Sequence, residues 1–140
     1  AKRVLSTAAR LADIVGVNPN VGAGKFGPEA TASMSAAATD EKLGWVRDAA
    51  GERFDDIEIS ILKFVTIVTD DRETVAGKVG GAMGMDGATL LASPHTIVGS
   101  VEQIVEELIE QRERWQGSYV TVQSDALETF APIVAALAGT

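Results

Sequence analysis

The chain has 140 residues, 46% of them hydrophobic, enough for one compact unit with a sizeable core. Twelve Lys and Arg against twenty Asp and Glu leave a formal net charge of −8, which argues against a nucleic-acid or anionic-membrane surface, since each needs a basic face. The absence of cysteine excludes disulfides, thiolate nucleophiles and thiolate metal sites; with no signal-peptide pattern and no apolar window of about 18 residues, the expectation is a soluble, cytoplasmic protein.

In chain order, Lys2 to Leu11 reads as a short amphipathic helix with Val4, Leu5, Ala8 and Leu11 on its apolar stripe and Lys2, Arg3 and Arg10 elsewhere. A packed helix opening so abruptly leads us to expect a preceding segment that meets its first N–H groups. Ile14 to Val17 is a buried strand ending in the turn former Asn18-Pro19-Asn20. Residues 21–38 are rich in Gly, Ala and Ser, too long for an ordinary link of about 2 to 6 residues, and are expected to be a functional or mobile loop. Thr39 or Asp40 then caps a helix through Ala50, with Leu43 and Val46 inward and Gly51 as its stop.

Ile57 to Thr69 is the most strongly patterned run in the chain, period two at first and then almost all β-branched or aromatic, as in a strand buried on both faces. Its tail, Thr69-Asp70-Asp71, leads into a helix of about 71–80, opened by Asp70 and Glu73 and broken by Gly80, Gly81, Gly84 and Gly87. We expect residues 70–99 to form a helical insertion folded over the strand ends. Ser100 to Gln103 is a capping box, and the helix it opens has Val101, Ile104, Val105, Leu108, Ile109 and Trp115 inward. Gly117 ends it, Ser118 to Gln123 is a third strand, and a last helix runs from Asp125 to Leu137 with a kink at Pro132. Strands alternating with helices call for a parallel sheet with right-handed crossovers, in a single unit spanning residues 1–140.

Few residues carry a chemical signal. Gly22, Gly24 and Gly27 match a dinucleotide fingerprint, although the acidic partner about 20 residues on falls inside a helix; a flexible loop is the competing reading. His95, the sole histidine, is a weak catalytic candidate against a structural role. The acidic pairs Asp55-Asp56, Asp70-Asp71 and Glu106-Glu107 read as capping or solvated groups, so no metal site is expected. Lys63 interrupts the long strand and reaches an anion, pairs with an acid or snorkels to an edge. Lys2 and Arg3 at a helix N-terminus suit a phosphate; solvated charges at a chain end are the alternative.

The segments KRVLSTAARLADIVGVNPN, EKLGWVRDAAGERFDDIEISILKFVTIVTDD, SPHTIVGSVEQIVEELIEQRERWQGSYVTVQ and FAPIVAALAG together resemble the C-terminal half of a luciferase-like monooxygenase barrel, nearest the branch that uses a 5-deazaflavin coenzyme. The resemblance implies an α/β chain forming half of a (β/α)8 TIM barrel, its parallel strands being the sixth, seventh and eighth. It implies hydride transfer between coenzyme F-420 (8-hydroxy-5-deazaflavin) or FMN and a small organic substrate. By the same resemblance Ala1, Lys2 and Arg3 stand at the phosphate end, Asn18 and Asn20 follow the sixth strand, Gln123 and Ser124 follow the eighth, and His95 belongs to a lid. The strands before the sixth would come from an N-terminal half-barrel or be replaced by a second copy of this chain. An inactive, self-associating half-barrel and a small dinucleotide-binding domain are the alternatives.

Overall fold

A computed structural model of the chain describes residues 1–20 and 28–140. The elements are α1 (Lys2–Leu11), β1 (Ile14–Gly16), α2 (Pro28–Ser33), α3 (Ala36–Ala50), a 3-10 turn (Gly51–Asp56), β2 (Glu58–Leu62), β3 (Val65–Val68), α4 (Arg72–Met83), α5 (Gly87–Leu91), β4 (Thr96–Gly99), α6 (Val101–Trp115), β5 (Tyr119–Thr121), a second 3-10 turn (Ser124–Ala126) and α7 (Leu127–Leu137). The strands form two parallel sheets, ordered β1-β2-β5 and β3-β4. The fold is therefore α/β with parallel strands.

The long apolar run is two strands. The N–H of Lys63 still donates to Thr121 O, at 2.8 Å, while that of Phe64 donates to His95 O, also at 2.8 Å. The chain thus changes neighbours at one peptide, leaving β5 for β4. Residues 96–99, expected within the helical insertion, are that new neighbour: β4 is buried along its whole length. The insertion is helical only through α4 and α5.

In the three-stranded sheet burial alternates with the pleat. Val15, Val17, Ile59 and Ile61 point into a core with Leu5 and Ala9 of α1 and Leu43 and Val46 of α3. Each buried Val, Leu or Ile among these contributes roughly 1.5–3 kcal/mol. The registers Ile14↔Glu58, Ser60↔Tyr119 and Leu62↔Thr121 set those side chains on the opposite face, where Ile14, Glu58, Tyr119 and Thr121 are exposed. Among the described residues, helices cover one face of this sheet only, in keeping with the period-two first part of the run. The β3-β4 sheet is covered on both: Val65, Ile67 and Val98 pack with α4 and α5, and Val68 and Ile97 pack with α6 and α7.

Local chemistry explains the element ends. Ser35 caps α3, accepting from the Ala38 N–H, so the helix starts earlier than Thr39 and takes in part of the expected loop. Asp71, without a side-chain cap bond, precedes α4; Asp70 makes no capping box. The Ser100–Gln103 capping box is formed. Arg53 donates to Ala9 O at 2.7 Å and Ala12 O at 3.2 Å, satisfying carbonyls at the end of α1. Arg114 forks onto Asp40 at 2.7 and 3.3 Å, and the Trp115 indole donates to the same carboxylate at 2.6 Å, tying α6 to α3. That guanidinium holds the Asp40 carboxyl below its ordinary range.

Candidate functional site

Parallel strands send their carboxyl ends to one rim, and α/β sheets carry ligands there. The links after β1 and β5 therefore bring Asn18, Asn20, Gln123 and Ser124 to the same side. The two-residue link from α1 to β1 turns the chain back, so the start of α1, with Ala1, Lys2 and Arg3, lies on that side too. All seven are exposed. Ala1 is the N-cap of α1 and offers no side-chain cap bond, which leaves the first-turn amides to another acceptor. Lys2 holds its ammonium 5.9 Å from the centre of the Trp45 ring.

The two asparagines are partly used by the fold. Asn18 Oδ1 accepts from the Leu62 N–H at 3.3 Å, bridging β1 to β2 beyond their ladder. Asn20 donates from its backbone to Ser33 Oγ at 2.7 Å and from Nδ2 to Glu29 at 3.2 Å, fastening α2. The glycines 22, 24 and 27 of the dinucleotide pattern lie outside the described residues.

His95 does not reach the surface. It is fully buried, Nδ1 lies 3.1 Å from Leu62 O, and Nε2 has no partner among the described residues. Burial pushes its pKa down to about 4, against the raising effect of the Leu62 carbonyl and together with the charges of Lys63 and Lys42. The ring is neutral at pH 7 and donates from Nδ1 to that carbonyl.

Lys63 answers it from the other strand. Its ammonium is buried and donates to Pro94 O at 2.5 Å and to Gln111 Oε1. Each side chain thus grips the carbonyl just before the other residue, a reciprocal clasp between 62–63 and 94–95. Burial lowers the Lys63 pKa to about 7, and Glu107 opposes that shift. The chain continues outward: Gln111 Nε2 donates to Glu107 at 3.1 Å, and Arg72 donates to the other Glu107 oxygen at 3.0 Å. Burial raises the Glu107 pKa while Arg72 and Lys63 restrain it. Glu107, Gln111 and Arg72 line a cleft of about 500 Å³ between α6, the start of α3 and the loop before β4.

Within this second cluster Lys63 and His95 stand out in the sequence separately and Glu107 reads there as one of a solvated pair, whereas Arg72 and Gln111 are not among the expected site residues. Gln111 falls four residues after Glu107 and seven after Ile104, a spacing that turns it inward. That was the available signal; Arg72 had none. Among the described residues no group of three or more His, Asp or Glu is placed to hold a metal ion, and no helix is long and apolar enough to cross a membrane. Compared with protein-family models the chain finds no match, and compared with curated proteins it finds none.

Proposed function

We propose that the chain is the C-terminal half of a luciferase-like (β/α)8 oxidoreductase, transferring hydride between coenzyme F-420 or FMN and a small organic substrate once its open sheet is covered. The observation that carries this reading is the one-sided sheet. Parallel sheets are almost always covered on both faces, yet here Ile14, at 48% exposure, and Tyr119, at 46%, stand on the face without helices, in the two edge strands. A sheet of this form is what three consecutive strands of a barrel supply, with helices outside and an interior still to be filled.

The rim residues fit the anionic end of such a cofactor. Uncapped amides at the start of α1, the positive end of its dipole and the cations of Lys2 and Arg3 favour a phosphate. When bound, the cofactor supplies the hydride chemistry. In this reading the chain's own part is to hold the phosphate at Lys2 and Arg3, to present the polar ends of Gln123 and Ser124 at the neighbouring strand end, and to form one wall excluding water. Fluorescence titration with F-420, in parallel with FMN, tests it. We expect saturable binding that weakens roughly 10–100-fold in Lys2→Ala/Arg3→Ala, from charge-assisted bonds of about 1.5–3 kcal/mol. Binding unchanged by that substitution contradicts the assignment.

A second reading, an inactive half-barrel that self-associates, is favoured by two observations. The only histidine is sealed in the clasp, and Asn18 and Asn20 spend polar groups on the fold. Absence of any binding to either cofactor supports it.

A further inference from the structure

Among the described residues, the exposed large hydrophobic side chains lie on α1, on α7 and in the two edge strands β1 and β5. Val4 and Leu11 of α1 are 72% and 78% exposed, and Leu127 and Val134 of α7 are 63% and 55% exposed; Ile14 and Tyr119 lie in the adjoining edge strands. Both helical pairs are spaced by seven residues, so each makes a stripe along its helix. Neither stripe faces the chain's own core, which takes Leu5 and Ala9 from α1 and Phe130 and Ile133 from α7.

The flanks are opposite. At about 100° per residue, the Val4–Leu11 stripe lies roughly a third of a turn before the core direction of α1, while the Leu127–Val134 stripe lies roughly a quarter-turn after that of α7. On α1 the other flank carries Lys2, which faces Trp45 of α3. Helices set side by side in one direction meet through such opposite flanks. Short links to parallel strands give α1 and α7 the same direction, so the free flank of α7 suits the free flank of an α1. Charge agrees. Every charged residue of α1 is basic (Lys2, Arg3, Arg10), whereas the only one in α7 is Glu128, preceded by Asp125. Arg3 and Arg10 border one stripe on its outer side and Glu128 borders the other in the same way.

We propose, resting on the half-barrel reading above, that the covering partner is a second copy of this chain, joined head to tail with α7 and β5 of one copy against α1 and β1 of the other. Made twice, the contact closes a two-membered ring, keeps the strands parallel across the joint and turns the uncovered sheet faces toward each other. A head-to-tail contact that fails to close grows a filament instead, so a discrete mass is part of the claim.

Light scattering on the eluting protein reads this directly. The wild type is expected at twice 14.6 kDa. Arg3→Glu/Arg10→Glu makes both edges acidic and Asp125→Lys/Glu128→Lys makes both basic; each alone is expected at the single-chain mass. Mixing the two restores the double mass, which misfolded chains do not do. A wild type that stays at 14.6 kDa, or a mixture that does not associate, overturns the proposal and leaves the edges to a different polypeptide. Titrating the wild type and Asp125→Lys/Glu128→Lys, both of which keep Lys2 and Arg3, with F-420 separates the two ideas. Association without cofactor binding defeats the function and spares the interface; binding by a single chain does the reverse.

Discussion

Lys63 and His95 show how two isolated polar residues become one device. Each is buried, each satisfies a carbonyl on the opposing segment, and together they close the chain between residues 63 and 95 over the start of β3. Their titration gives the clasp a pH signature. Lys63 titrates at about 7 in the fold against 10.5 for an unburied lysine, so between those values the unfolded chain binds more protons and stability rises with pH. His95, at about 4 against 6.5, takes stability away as pH falls from 6.5 toward 4. The urea midpoint is therefore predicted to climb from pH 7 to 10 more steeply in wild type than in Lys63→Met, and to fall from pH 6.5 to 4 more steeply than in His95→Asn, which keeps a donor for Leu62 O. Slopes unchanged by the substitutions contradict this. Lys63 was legible as an interruption of an apolar strand, but His95 was not legible as its counterpart, because 32 positions of chain separate two residues that the β3-β4 register makes neighbours.

Elements with a local signal were readable and those made by tertiary pairing were not. The Ser100 box and the stripe of α6 depend on residues a few positions apart, and both formed; Ser100→Ala is predicted to cost about 1 kcal/mol, read as a lower melting temperature. β4 was hidden because Thr96 to Gly99 is too short to show a period and is a strand by virtue of β3 beside it. The glycines after residue 79 were read as helix breakers, yet α4 runs through Gly80 and Gly81 to Met83. Gly84, at φ 76°, is the left-handed cap that stops the helix, whereas Gly80 and Gly87 serve close approach: a Cβ on Gly80 would lie 2.9 Å from Met85 O, and one on Gly87 would lie 2.9 Å from the Gly77 nitrogen, backbone against backbone. Gly87→Ala is predicted to destabilise by about 1–3 kcal/mol through forced separation of α4 and α5. At the end of α6 the left-handed cap is Gln116, with φ 54°, rather than Gly117. Gln116→Gly should stabilise by about 1 kcal/mol in chemical denaturation, and a loss of stability would contradict that reading.

At the scale of the whole molecule, alternating strands and helices were legible as parallel α/β architecture, because crossover handedness leaves little freedom once the alternation is set. The openness of the sheet was legible only through the half-barrel resemblance, not from the strand residues themselves. Ile14 and Tyr119 read as ordinary strand residues, and Val4 and Leu11 as core, until the positions of α1 and α7 at the two ends left them uncovered. Those residues carry the central claim, that this chain presents two complementary edges and is completed by another copy of itself at the rim where a phosphate-bearing cofactor would sit. A native mass spectrum across a concentration series, with F-420 added, tests it most directly. A species of two 14.6 kDa chains carrying cofactor-sized adducts is expected; a lone 14.6 kDa chain without adduct at every concentration contradicts it.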